Sequence, residues 1–371
     1  MLQSQSIRIK MRLIIFTAFL LLNASQTIAQ DSLQAKSDLT FSGYLEPYYV
    51  YDFNRPLNNT RPGFIYSHNR ANEVTLNLGL IKATYNNDKI RGNLAFAAGT
   101  YMNANLAAEP GVLKNVFQAD AGVKISKTSD LWIDAGIMPS HLGFESAIGK
   151  DNWTLTRSIL ADNSPYYEAG AKIGYTSKDA KWYAAAMYLN GWQRIQRVNG
   201  NTTPAFGAQL TYKPTSKITL NYSNFIGNDK PDSARQTRFF NNFYGIFQPT
   251  DKFGITAGFD YGTEQKAKGS SKYNNWYSPV LILRFTPTTS DAVAIRGEYY
   301  SDENGVIISS GTPNGFKTFG ASINYDRTIR TNMMFRLELR TLGSKDEIFV
   351  KRNLTTTKNN TFISTAFTLG F

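Results

Sequence analysis

The chain has no cysteine among its 371 residues and only two histidines, His68 and His141. The first absence removes thiol nucleophiles, thiolate metal sites and disulfides, and two histidines are too few for a three-histidine zinc centre. Long apolar runs are scarce as well. The run Leu13 to Leu22 falls short of the roughly 18 apolar residues a membrane-spanning helix needs, and no later stretch does better, so no transmembrane helix is expected. No basic helix interleaved with aromatics occurs either, so the formal net charge of +12 is not read as a nucleic-acid footprint.

What is present is unusual for so polar a chain. Mean hydropathy is −0.33, yet 13 % of the residues are aromatic, with 21 Tyr and 24 Phe beside 28 Gly. A barrel around water has this composition, because its inner half is polar while aromatic girdles mark the two membrane interfaces. The end of the chain agrees. In Phe362 to Phe371 apolar side chains alternate with small or polar ones, which in a strand puts Ile363, Phe367, Leu369 and Phe371 on one face and Ser364, Ala366, Thr368 and Gly370 on the other. At the start, Arg8, Lys10 and Arg12 precede the apolar run and Thr27-Ile28-Ala29 supplies small residues for cleavage, the layout of a secretory signal peptide. Met11 is an alternative start. The expected organisation is a signal peptide over 1–29, a short lead over 30–38 and one barrel domain over 39–371, with no plug domain. Without the three signal cations, 37 basic side chains face 28 acidic ones, a net +9.

Alternating runs begin near Phe41, Glu73, Ile90, Phe117, Leu131, Tyr166, Lys181, Ala205, Ile218, Arg238, Phe253, Trp276, Val293, Phe316, Met333 and Thr361. This predicts an all-β, antiparallel transmembrane barrel of about sixteen strands. Short connections such as Asn86-Asn87-Asp88, Ser177-Lys178-Asp179 and Pro249-Thr250-Asp251 carry turn-forming residues and are assigned to the periplasm. Longer ones, near 54–70, 102–115, 139–164, 190–203, 227–236, 262–273, 302–315 and 344–359, are assigned to the outside. Strand phase makes Val74, Leu76, Leu78 and Leu80 one face against Glu73, Thr75, Asn77 and Gly79, and Phe335, Leu337 and Leu339 one face against Arg336, Glu338 and Arg340. The expected inner wall carries Glu46, Glu73, Asp120, Asp134, Glu168, Asp260, Glu298 and Glu338 against Arg91, Lys124, Lys172, Arg238, Arg284, Arg296, Arg336 and Arg340. The two sets nearly balance, so a wet interior without strong ion preference is expected, and about sixteen strands leave an aqueous channel.

One stretch is distinctive. Gly136-Ile137-Met138-Pro139-Ser140-His141-Leu142-Gly143-Phe144-Glu145, then Asn152-Trp153-Thr154-Leu155-Thr156-Arg157-Ser158, then Ser164-Pro165-Tyr166-Tyr167 resembles the OmpL-like β-barrel porins of Gram-negative bacteria, seen especially in the Bacteroidetes. The likeness covers the mature chain in layout, and its specific residues lie between Gly136 and Tyr175. It implies an outer-membrane porin. The terminal strand with Phe367, Leu369 and Phe371 resembles the signal by which such barrels are recognised for insertion by the barrel-assembly machinery. By analogy with porins whose third loop narrows the channel, Glu145, Lys150, Asp151 and Arg157 are expected at a constriction, where charge sets selectivity. The alternative is a loop that caps the barrel outside, its charges pairing with one another.

Chemistry has little support. A serine–histidine pair could form only through Ser140, Ser146 or Ser158 near His141, and no Gly-x-Ser-x-Gly elbow occurs. Gly143 to Lys150 lacks the spacing of a phosphate loop, and Asp302 with Glu303 is a weak calcium candidate. No cofactor, metal or enzymatic activity is expected. The expected partners are outer-membrane lipid, small hydrophilic solutes or ions, the assembly machinery and a second copy of the chain, with no nucleic acid. The competing readings are a substrate-specific channel or receptor, with Tyr101, Trp153, Trp192 and Trp276 stacking on sugars or other ligands, and a barrel enzyme or adhesion barrel with a blocked lumen.

Overall fold

A computed structural model describes residues 38–371; the signal peptide expected over 1–29 lies outside the described residues. Sixteen strands, each antiparallel to its neighbours, close a barrel. They are β1 Leu39–Asp52, β2 Val74–Asn86, β3 Ile90–Ala98, β4 Val116–Lys124, β5 Asp130–Pro139, β6 Tyr167–Thr176, β7 Trp182–Leu189 and β8 Ala205–Thr215. β9 Ile218–Gly227, β10 Arg238–Phe247, β11 Phe253–Gln265, β12 Tyr273–Phe285, β13 Asp291–Asp302, β14 Phe316–Arg330, β15 Met333–Ser344 and β16 Asn359–Gly370 complete the wall.

Closure is made by β1 against β16, with Tyr44 opposite Gly370 and Asp52 opposite Phe362. Phe371 extends the pairing through two backbone bonds with Gly43, 2.7 and 3.0 Å. A closed wall satisfies every strand amide and carbonyl internally, which is what a sheet in hydrocarbon requires. At one end the turns are short and capped by their own side chains. Asn87 Oδ1 accepts from the amides of Lys89 and Ile90, and Thr288 Oγ1 from those of Ser290 and Asp291. At the other end the connections are long, and by that asymmetry it faces outward from the cell.

The alternation sorts the side chains as the pleat demands. Leu337, Leu339, Ile295, Ile323 and Phe367 stand exposed on the outer surface, while Arg336, Glu338, Arg340 and Arg296 point inward with almost no exposure. An apolar belt of this extent belongs in lipid. Strand β2 departs from the expected phase. Its register against β1 jumps from Leu78 opposite Glu46 to Leu76 opposite Pro47, a bulge that spends one extra residue, Asn77, and switches the faces beyond it. Val74 is exposed, whereas Leu78 and Leu80 are buried inside against Tyr101 and Met102. The latter two belong to the short helix α1, Thr100–Asn105. The four leucine and valine positions of β2 therefore do not share one face.

Candidate functional site

The third long connection, residues 140–166, does not stay at the rim. At its entry Gly136 holds φ +132°, and a Cβ there would run into the Ala119 carbonyl, so only glycine fits this pinch of β5. Pro139 then ends the strand, having no amide for the ladder. The segment that follows buries Leu142, Leu155, Ile159 and Leu160, and buried backbone amides need partners. The inner wall supplies them. Asn324 Oδ1 accepts from the Leu155 amide at 2.9 Å, Glu338 from Thr156 at 2.6 Å, Glu298 from Ile159 at 2.6 Å and Asn242 from Gly143 at 3.1 Å. Wall guanidiniums take the carbonyls: Arg336 donates to Gly149 and Asn152, Arg340 to Arg157 and Arg296 to Thr156. The connection thus lies within the barrel along β10 and β13 to β15, its backbone sewn to wall charges of both signs.

Those wall charges also pair with one another. Arg340 meets Glu298 at 2.6 Å, Arg296 meets Glu338 at 2.9 Å and Glu298 at 3.3 Å, and Arg336 meets Asp326 at 2.7 Å. Pairing and hydrogen bonding of this kind offset the cost of sealing ionised groups from water. Inside the connection a short helix, α2, Ile159–Asp162, starts at Ser158, whose hydroxyl accepts from the Ala161 amide. Glu145 accepts from both the amide and the hydroxyl of Ser158. Arg157 spends its guanidinium on the carbonyls of Ser146, Ala147 and Leu155. Burial pushes the Asp162 carboxyl up to about 7, because the charged form loses solvation there.

Of the four residues expected at a constriction, Glu145 and Arg157 are internal fasteners of the connection, and only Lys150 and Asp151 are exposed. They sit at its deepest point, where the Lys150 amide donates to the Tyr44 hydroxyl. There Gly149 lies so close to Glu46 and Tyr44 that no side chain fits between. The expected inner-wall residues divide. Arg296, Glu298, Arg336, Glu338 and Arg340 face inward but lie dry beneath the connection, because its carbonyls and amides take the place of water. Arg238 is likewise buried, bonded to Glu264 and stacked near Trp192 and Trp276, and Arg284 is half-buried near Trp153. Glu73 is not on the wall at all; it pairs with Arg70 in the first long connection at 2.7 Å.

The wall of β2 to β8 toward the short-turn end is bare by comparison. Arg91 holds Asp134 through two bonds of 2.6 Å, Lys172 approaches the same carboxylate at 3.8 Å, and Lys82 donates to Gln118 at 2.9 Å. Asn93 and Gln118 hold Asp120, and Lys124 pairs loosely with Asp130 at 3.7 Å. Arg91, Lys124 and Lys172 keep a quarter to a third of their side-chain surface open.

The family model described as "Putative beta-barrel porin-2, OmpL-like" matches residues 38–371. The chain belongs to this family of outer-membrane porins. Among curated proteins none matches. Solved structures of the same fold include an anion-selective porin from Comamonas acidovorans, with a TM-score of 0.58 and 7 % identity, covering 90 % of this chain and 99 % of that one. The trimer form of OmpT from Vibrio cholerae gives 0.59 at 11 %, with 90 % and 99 % covered, and the outer-membrane channel DcaP of Acinetobacter baumannii 0.57 at 10 %, with 93 % and 100 %.

In this porin Ser140, His141 and Asp302 are bonded to neighbouring backbone and carboxylate groups. The Ser140 hydroxyl donates to Glu168, not to His141. His141 bridges Glu168 at 2.8 Å and the Asn224 carbonyl at 2.7 Å, anchoring the start of the third connection to β6 and β9. Asp302 accepts from the amides of Val306, Ile307 and Ile308, which organises its loop and uses the carboxylate considered for calcium. Tyr101 and Trp276 are packed in the interior with 2 % and 1 % exposure, so neither offers a stacking surface to a solute. The one sequence signal of this burial is the apolar cluster of Leu155 with Ile159-Leu160-Ala161, all buried, since residues 142–161 as a whole are hardly more apolar than the rest of the chain.

Proposed function

We propose that small hydrophilic solutes and ions cross this outer-membrane porin by diffusion, along the polar lane that the third connection leaves uncovered on β2 to β8. The observation that carries this reading is the contrast in exposure between Arg91, Lys124 and Lys172 and the sealed arginines of β13 and β15. Lys82, Arg91, Lys124 and Lys172 outnumber Asp120, Asp130 and Asp134 on that lane, which favours a modest anion preference. Lys150 and Asp151, at the deep end of the connection, form its charged edge. No catalytic step is part of this reading.

Export by a cleaved signal peptide brings the chain to the outer membrane, and the outward face of β16 with Phe367, Leu369 and Phe371 serves recognition by the assembly machinery. Assembly as a homo-oligomer is supported by the trimeric form of the Vibrio cholerae relative in fold. Single-channel recording of the refolded protein under a salt gradient tests the reading. Stable steps of small conductance with a reversal potential on the anion side are expected. A folded barrel that gives no conductance overturns it.

A further inference from the structure

Arg61, in the first long connection, is a buried cation that the protein leaves half unpaired. It is 2 % exposed, and its Nη1 donates to the His68 carbonyl at 3.2 Å, while Nε and Nη2 reach no acceptor. Among the described residues no carboxylate lies within ion-pair distance of it. Its guanidinium instead rests 3.6 Å above the Phe362 ring, which Arg340 approaches from 5.9 Å. Burial pulls Arg61 down only to about 10, so it is charged at neutral pH.

Beside it is a cavity of about 700 Å³ at the long-loop end of the barrel. Its walls are Leu57, Phe64, Ile307, Ile308, Phe349 and Leu354, and its polar side is formed by Arg61, Asp52 and Asn360. Asp52 Oδ1 accepts from the Asn54 amide and Asn360 Nδ2, both at 2.8 Å, and Oδ2 accepts from none of the described residues. Asn360 Oδ1 is also without a donor. One pocket therefore joins an unpaired guanidinium, an unpaired carboxylate oxygen and a mainly apolar wall. A plain anion would satisfy Arg61 but meet Asp52 as a like charge. A molecule carrying both an acceptor and a donor next to an apolar body satisfies all three features.

We propose that this pocket binds an apolar zwitterion, an amino acid or short peptide with aliphatic or aromatic side chains, at the outer mouth of the porin. The carboxylate lies against the cavity-facing side of the Arg61 guanidinium, the ammonium group donates to Asp52, and the side chains fill the space between Phe64, Ile308 and Phe349. Such a site concentrates one solute class above the lane and goes beyond unselective diffusion.

Equilibrium dialysis of radiolabelled leucyl-leucine against the full chain in lipid nanodiscs tests the proposal independently of conductance. Saturable binding is expected, weakened about tenfold or more by Arg61→Met, by N-acetylation of the peptide and by amidation of its carboxylate. A second variant leaves Arg61 in place: Gly63 lines the cavity, and a Cβ built on it meets nothing within 4 Å, so Gly63→Phe fills the space and abolishes binding. Heat-dependent gel mobility verifies that each variant is a folded barrel. Absence of saturable binding to the unaltered protein overturns the proposal. So does binding that survives both Arg61→Met and Gly63→Phe, and so does hexanoate competing as well as the dipeptide, which would make the site a plain anion site.

Discussion

Strands β13 to β15 and strands β3 to β6 present the same kinds of inward side chain in the same alternation, yet they behave as different materials. On the first arc Arg296, Arg336 and Arg340 are 0 to 1 % exposed and each faces a carboxylate. On the second, Arg91, Lys124 and Lys172 are 25 to 33 % exposed. The difference comes from the third connection, which lies on one arc and leaves the other bare. Charge beneath it is cement, and charge beside it can act on a passing ion. A wall residue's role in this barrel is thus decided by a segment remote from it in sequence.

The comparison can be broken most forcefully by removing the cover. Deleting residues 146–158 is expected to raise single-channel conductance several-fold, since a sixteen-strand barrel without an inward segment encloses a wide channel; unchanged conductance would mean that the connection does not limit passage. Next in size is the stability contrast between two carboxylates. Glu338→Ala leaves Arg296 short of a partner and Thr156 without its acceptor, and costs about 3 kcal/mol. Asp134→Ala leaves Arg91 and Lys172, a quarter to a third exposed, free to rehydrate, and costs less, about 1.5 kcal/mol. Unfolding in urea from lipid vesicles would register the gap.

Selectivity sharpens the same contrast. Lys172→Glu on the bare arc should move the reversal potential toward cations, changing the anion-to-cation permeability ratio by about two- to threefold. The smallest expected effect is one of pH. Asp162 accepts from the Ser67 amide, joining the third connection to the first, and its carboxyl is raised to about 7. A raised carboxyl binds its proton better in the folded state, so the join is stabilised as pH falls through 7 and weakened above it. Current fluctuations should be quieter at pH 5 than at pH 8, and Asp162→Asn should remove that difference.

Much of the barrel was legible because the pleat writes itself into sequence. The alternation of Phe335, Leu337 and Leu339 with Arg336, Glu338 and Arg340 gave the true faces of β15, and the sixteen strand starts fell close to those observed. β2 failed at Asn77, because a bulge inserts a single residue whose justification, bonds to Glu46 and His68, lies on other segments. The site was less legible for a related reason. Glu145 and Arg157 are expected at a constriction and instead bond within their own connection, because whether a loop's charges face water or its own backbone depends on how deeply it is buried. Cross-strand register, which sets Arg340 opposite Ser322 and Phe362, is likewise absent from a single chain.

The absence of cysteine permits the most direct test, in which one thiol is introduced at a time. Asn93→Cys places it on the bare arc and Ser322→Cys on the covered arc beside Arg340, and each is exposed to a charged, water-soluble thiol reagent while current is recorded. The account predicts rapid modification and a change of current at position 93, and no reaction at position 322 until residues 146–158 are deleted. Equal reaction rates at the two positions in the intact protein would contradict it.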